Sequence, residues 1–291
     1  MRGAISWRVW KRTISKAVRR REGLMIYITG DTHHDFKRFD KEIFPEQKEM
    51  TKDDYVIILG DFGGVWDSNY HKNNYKEILD KDFDWAKEPI SEKMLLDELE
   101  KKNFTTLFIT GNHENYDRLR TYPDKEWHGG VVKEIRPSVL LLKRGYVFDI
   151  DGFKCFAMGG ARSHDIWGGV FDLDDPDYHK KVARAKRAYE PFRINHLSWW
   201  QEEIPSEEEQ KRALDNLEAN NWKVDYVFTH EAPASDVRSM DWMYKPDEYS
   251  KFLEGIKQSL DYKHWFFGHY HENRHIGEKG HVLYEQIIKL Y

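Results

Sequence analysis

Five times along the chain a short apolar run, rich in β-branched and aromatic residues, ends abruptly at a polar residue of the kind that binds metals. The runs are 25–30 before Asp31, 55–60 before Asp61, 106–111 before Asn112, 224–229 before His230 and 263–268 before His269. Runs of this length with little polar alternation predict strands buried on both faces. Between them, 91–102 predicts a helix with Met94, Leu95 and Leu99 on one face, and 206–220 predicts another. The second opens just after Pro205 with a capping box from Ser206 to Glu209. The closely spaced runs 139–142, 146–150 and 153–158 predict antiparallel hairpins, and 281–289 predicts a closing strand. The pattern as a whole predicts a mixed α/β architecture with helices covering the sheets. It also places the five polar residues at strand C-termini, where open α/β sheets carry ligand sites. A single site drawing on residues 31 to 271 predicts one domain over 25–291. The sequence contains no internal repeat and no low-complexity tract.

Composition narrows this picture. No run approaches the eighteen or more apolar residues of a membrane span, which predicts a cytoplasmic protein without a membrane partner. The lone Cys155 excludes an internal disulfide and a cysteine-rich zinc module, and its alternating run 153–158 predicts a buried core thiol. Residues 1–24 carry eight Lys or Arg against Glu22 alone, a net of +7. With −5 overall, the remainder carries −12, which argues against tight non-specific binding to nucleic acid. The basic head lacks the apolar centre of a secretory signal. A transit peptide or a nucleic-acid arm fits its composition. A simpler expectation is that translation begins at Met25, because Arg19-Arg-Arg-Glu-Gly23 is what a purine-rich ribosome-binding stretch would encode.

The candidate chemistry lies in five blocks: Asp31-Thr-His33, Gly60-Asp61, Gly111-Asn-His-Glu114, His230 and Gly268-His-Tyr-His271. Each block alone is weak, since an isolated Asp-x-His or a histidine after a strand is common by chance. Five in order, each behind a strand-like run, are specific. Carboxylate, imidazole and amide oxygen together suit Mn, Fe, Zn, Co or Ni, and no thiolate is present to select a softer ion. In an extended segment the i, i+2 spacing of Asp31/His33 and His269/His271 would put each pair on one side. The glycines before Asp61, Asn112 and His269 let the backbone turn sharply and approach ions closely.

The order and spelling of these blocks resemble the calcineurin-like metallophosphoesterase superfamily, over about 25–291. The resemblance implies a four-layer sandwich, two mixed β-sheets flanked by helices, and two divalent metal ions. By position, Asp31, His33 and His271 would hold one ion, Asn112, His230 and His269 the other, and Asp61 would bridge both. It further implies a phosphoric ester hydrolase in which a metal-bridging hydroxide attacks phosphorus without a phosphoenzyme. His113 would give a proton to the leaving oxygen, and Glu114 could orient it. His34 and Asp35 stay outside this core set, Asp35 either supporting a ligating imidazole or lying at the surface.

Departures from the family pattern bear on the substrate. Many members carry Asp or Asn three residues after the bridging carboxylate, with Arg next in protein phosphatases. Here Gly64 and Val65 stand there, which weakens a protein phosphatase reading. Arg162, in Gly159-Gly-Ala-Arg-Ser-His164, is the candidate replacement cation, against a surface arginine. The stretch 161–204 has the length of a cap-like insert. It holds Trp167, Phe171, Tyr178, Tyr189, Phe192, Trp199 and Trp200, with Lys180, Lys181, Arg184, Lys186 and Arg187 among them. These could recognise a nucleotide or a single nucleic-acid strand. The favoured expectation is plainer, with tryptophans packing the cap and cations on a solvated helix face. An acidic insert, 67–102, has no role assigned. The expected substrate is therefore a small or nucleotide-like phosphodiester or phosphomonoester, with a single-strand nuclease as the alternative. A non-catalytic scaffold is a remote third, since no ligand is missing.

Overall fold

Alternation within the strands explains how uniformly apolar runs become the middle of the molecule. The computed structural model describes residues 23–66 and 87–290. The basic head up to residue 22 and the 67–86 part of the acidic insert lie outside the described residues. In chain order the strands are β1 (Ile26–Thr29), β2 (Tyr55–Ile58), β3 (Thr105–Phe108), β4 (Asp124–Trp127), β5 (Gly130–Arg136) and β6 (Val139–Leu142). They continue as β7 (Tyr146–Ile150), β8 (Phe153–Met158), β9 (Val170–Phe171), β10 (Arg193–Ile194), β11 (Tyr226–Thr229) and β12 (His264–Phe267). The last are β13 (Arg274–Ile276), β14 (Gly280–Val282) and β15 (Ile288–Lys289). A seven-stranded sheet has the order β15-β1-β2-β3-β6-β5-β4, and a six-stranded sheet the order β13-β14-β12-β11-β8-β7. Both are mixed: β1, β2, β3 and β6 run parallel, as do β8, β11, β12 and β14, with antiparallel strands at the edges.

In β2, Tyr55 and Ile57 enter the cluster between the sheets, whereas Val56 and Ile58 enter the cluster on the outer face. In β8, Cys155 and Ala157 face the central cluster, while Phe156 and Met158 face the other outer one. Period-two alternation thus feeds two cores at once, which is why neither strand shows a polar face. Cys155 is a buried free thiol, its pKa pushed up by burial. Helices complete the outer layers. They are α1 (Ile90–Glu100), α2 (Tyr116–Thr121), α3 (Tyr178–Ala188), α4 (Glu207–Ala219), α5 (Ala234–Met240) and α6 (Glu248–Ser259). Leu96 and Leu99 of α1 cover the seven-stranded sheet, and Leu217 of α4 with Leu253 and Ile256 of α6 cover the other. The result is the expected four-layer sandwich.

Three local expectations change. First, 139–142 and 146–150 form no hairpin. β6 pairs parallel with β3, and residues 143–145 carry the chain across to the second sheet. Gly145, at φ 81, makes that crossing packed against Ala213, where a side chain would collide with backbone. Second, 281–289 is not one strand but two, β14 beside β12 and β15 beside β1, so this segment returns from one sheet to the other. Third, Met94 is exposed, and the inward face of α1 runs through Glu92, Leu96 and Leu99. Glu92 is drawn inward by Arg118, 2.6 Å away and equally buried, which rotates the helix from its simplest amphipathic reading. The capping box of α4 forms as expected, with Ser206 and Glu209 each accepting from the other's backbone N–H.

Candidate metal centre

The parallel strands of both sheets point their C-terminal ends at one seam, and the loops that follow deliver the polar residues there. Asp31, Asp61 and Asn112 follow β1, β2 and β3, while His230 and the pair His269/His271 follow β11 and β12. The i, i+2 pairs are not extended, as the spacing had suggested. His33 has φ 44, His269 φ 70 and His271 φ 50, and Asp61 shares the left-handed region at φ 44. A left-handed turn, not a strand, brings each pair to one side. Such backbone is costly for residues with side chains and persists where neighbours hold it. Backbone donors supply that hold. His33 N–H donates to Asp61 O at 2.8 Å, His113 N–H to Asp61 Oδ1 at 2.7 Å, and His269 N–H to Asp31 Oδ1 at 3.0 Å. The Arg38 guanidinium fixes the other side of the first loop by donating to Asp31 O at 2.7 Å and Tyr284 O at 2.6 Å.

The seven expected ligands come together. His33 Nε2 and His271 Nε2 lie 3.1 Å apart, and His271 Nε2 is 3.2 Å from Asp31 Oδ2. On the other side His230 Nε2 is 3.2 Å from Asn112 Oδ1 and 3.4 Å from Asp61 Oδ1. Asp61 stands between, its Oδ2 3.7 Å from His33 Nε2. The His269 ring lies 5.0 Å from that of His230. His230 is oriented by its Nδ1, 2.7 Å from Leu59 O, which leaves Nε2 turned toward Asp61 and Asn112. Space is tight: a Cβ on Gly111 would stand 2.1 Å from Asp61 Oδ1 and 2.7 Å from His230 Nε2.

The electrostatics describe a pocket built for positive charge. Asp31 and Asp61 are buried at 0% and 2% exposure. Burial alone would lower the His230 pKa, but Asp61 and Asp31 outweigh it and push it up to about 10. Two acids and five nitrogen or amide ligands with one orphaned donor, the buried His269 Nε2, fit divalent cations of borderline softness. His269 also stands within reach of His164 and Glu231, with Glu231 Oε2 3.9 Å from its Nε2.

Glu114 does not orient His113. Its Oε1 accepts from Phe62 N–H at 2.8 Å and Gly111 N–H at 3.3 Å, bracing the loops of Asp61 and Asn112 against each other. Burial and the nearby Asp61 raise its pKa to about 8. His113 lines a cleft of about 270 Å³ with His33, His34, Gly63 and Trp66. Arg162 is exposed and makes no ion pair among the described residues. Asp35 is also exposed and accepts from Lys37 N–H, as a surface turn does. Val65 is fully buried and Gly64 packs against the Phe62 ring, so the loop after Asp61 turns into the core at these two positions.

Sequence reading missed a brace on Asn112. Asn112 Nδ2 donates to Ser163 Oγ at 3.2 Å, and Ser163 Oγ donates to Glu203 Oε2 at 2.6 Å. Ser163 N–H reaches Glu203 Oε1 at 3.0 Å, and all three residues are buried. The chain holds the Asn112 amide with its oxygen toward His230. Ser163 lay next to the chosen Arg162, and between that arginine and His164, both exposed, it stood in no apolar run that would mark it as buried. Glu203 carried none at all. Loss of such supporting partners costs about 10–100-fold in metal affinity or activity. Ser163→Ala is therefore expected to weaken Mn binding by about that factor in a metal titration. An unchanged affinity would show that Asn112 needs no such brace.

A family model described as calcineurin-like phosphoesterase matches residues 24–273. No curated protein matches the chain. Among solved structures, a proposed 5'-nucleotidase from Staphylococcus aureus in complex with alpha-ketoglutarate is similar at 15% identity and a TM-score of 0.41. That match covers 90% of this chain and 48% of the other, so the chain spans about half of that protein's length. A second crystal structure matches at 10% identity and a TM-score of 0.40, covering 90% of each chain.

Proposed function

The chain belongs to the calcineurin-like phosphoesterase family, and from that premise we propose that it hydrolyses a small or nucleotide-like phosphate ester with two divalent cations. The observation that carries this reading is Asp61, a buried carboxylate facing His33 on one side and His230 on the other. Asp31, His33 and His271 would hold one cation, and Asn112, His230 and His269 the other, with Asp61 shared. When bound, such a pair lowers the pKa of water and neutralises charge on phosphoryl oxygens.

The remaining work falls to the chain itself. The backbone donors on Asp31 and Asp61 fix both carboxylates before any ligand arrives, so little reorganisation is left for the reaction. His113 lies on the cleft wall beside His33, ring centroids 5.6 Å apart, where its imidazole gives a proton to the departing oxygen. Trp66, packed edge-on against the buried Trp200, forms the apolar side of the same cleft and receives the organic part of the ester. Arg162, exposed on the loop that carries Ser163, is the one cation proposed to meet a phosphoryl oxygen.

The test is hydrolysis of bis-p-nitrophenyl phosphate and p-nitrophenyl phosphate by the purified, Mn-loaded protein. Release of nitrophenolate from at least one, abolished by chelation and restored by Mn, is expected, and the ratio ranks diester against monoester. A fully metal-loaded protein inert toward both esters and toward nucleotides would overturn the reading. No helix among the described residues is long and apolar enough to cross a membrane.

A further inference from the structure

The loops after β11 and β12 each carry a buried polar residue beside their candidate ligands. Glu231 follows His230, and Tyr270 stands between His269 and His271. The two meet. Tyr270 O–H donates to Glu231 Oε1, which also accepts from Ala232 N–H at 2.7 Å. The Thr229 hydroxyl donates to Glu231 O at 2.6 Å and accepts from Trp265 Nε1 at 2.8 Å, so the backbone under the carboxyl is held as well. With both donors on Oε1, the carboxyl presents its other oxygen, Oε2, to His269 Nε2 at 3.9 Å.

His269 Nε2 is sealed from solvent and has no hydrogen-bond partner among the described residues. A buried donor left without an acceptor is costly. An imidazole that binds a cation through one nitrogen almost always donates from the other, to a carboxylate, a carbonyl or water. His230 already does so, its Nδ1 on Leu59 O and its Nε2 turned to Asp61 and Asn112. For His269 the acceptor in that position is Glu231 Oε2, and the nitrogen left for a cation is Nδ1.

We propose that Glu231 is a positioning residue, which accepts the Nε2 proton of His269 in a hydrogen bond and so commits Nδ1 to the cation shared with Asn112 and His230. Tyr270 holds the carboxyl in place for this. The 3.9 Å separation is about 1 Å longer than a hydrogen bond, so the pair closes when the site is loaded and not before. The inference rests on the two-cation reading of the site. His164, Glu231 and His269 also lie close enough to hold a further ion among them. That arrangement would make one imidazole serve two ions with both of its protons gone, whereas the hydrogen bond asks nothing unusual of the ring.

The test is a Mn titration of the metal-free full chain, beside ¹H–¹⁵N spectra of the histidine rings in the Zn-loaded protein. Glu231→Gln keeps the side-chain volume. Its amide oxygen stays with the Ala232 and Tyr270 donors, so the NH₂ group turns to His269 Nε2 and drives the ring proton onto Nδ1. One Mn equivalent is expected to weaken about 10–100-fold and the other to hold, with no fall in the melting temperature of the metal-free protein. The Zn-loaded wild type is expected to show a slowly exchanging imidazole Nε2–H that Glu231→Gln lacks. Tyr270→Phe keeps every candidate ligand and should weaken the same equivalent by a smaller factor. Should Glu231→Gln fail to fold, a selective loss in Tyr270→Phe supports the proposal and unchanged affinity overturns it. Equal weakening of both equivalents, His269 bound to Zn through Nε2, or a third Mn equivalent lost in His164→Ala also overturns it. Two bound equivalents with the Nε2–H signal, in a protein inert toward every ester, would keep this role for Glu231 and remove the phosphoesterase reading instead.

Discussion

Asp61→Asn is expected to lower turnover of small phosphate esters on the order of 10³-fold, with a parallel fall in bound metal. The substitution keeps the volume of a side chain that is almost fully buried, so packing is not the issue. What changes is charge. Asp61 Oδ1 is 3.4 Å from His230 Nε2 and Oδ2 is 3.7 Å from His33 Nε2, so one carboxylate serves both halves of the pocket. An amide there leaves those imidazoles with Asp31, among the described residues, as the only carboxylate within ion-pair distance of both. It also turns an NH₂ group toward one of them. Elemental analysis beside initial rates reads both consequences. A variant with full metal and full rate would remove Asp61 from the centre of the mechanism.

His113→Ala has a different expected signature. Metal content should hold, because the contact His113 makes with Asp61 comes from its backbone N–H, which alanine retains. The rate should fall by about 10²–10⁴-fold, the range typical of general acid catalysis. The loss should be greatest for esters with a poor leaving group, such as an alkyl alcohol. It should be smallest for p-nitrophenolate, which leaves with little protonic help. Comparing the two leaving groups separates proton donation from a general disturbance of the cleft. Wild-type speed on both would take His113 out of the chemistry.

The strands and the order of the polar blocks that follow them were legible because they are written in local patterns. A run such as 55–58 followed by Gly60-Asp61 carries its own signal, and so does Ser206 with Glu209. What escaped depends on contacts between distant residues. Glu92 faces inward only because Arg118, on another helix, is there to meet it. The passage of the chain between sheets after β6 and again after β14 depends on which strand is free to pair, and alternation within one strand cannot show it. Glu114 illustrates the same limit within the site. Adjacency to His113 in sequence suggested a partner, but a carboxylate at that point in the loop reaches Phe62 and Gly111 backbone instead. Ser163 and Glu203 lie 40 residues apart and meet only because the insert closes on itself. In the insert, composition named the aromatic and basic residues, and only exposure divided packing rings from free ones.

The seam between the two sheets has a consequence for the endurance of the fold itself. Asp31, Asp61 and Asn112 belong to one sheet, and His230, His269 and His271 to the other, so any ion they share rivets two halves that otherwise adhere through side-chain packing. Stripping such ions would leave Asp31 and Asp61 crowded on one flank of that join with imidazoles opposite, and resistance to heat would become a function of mineral supply.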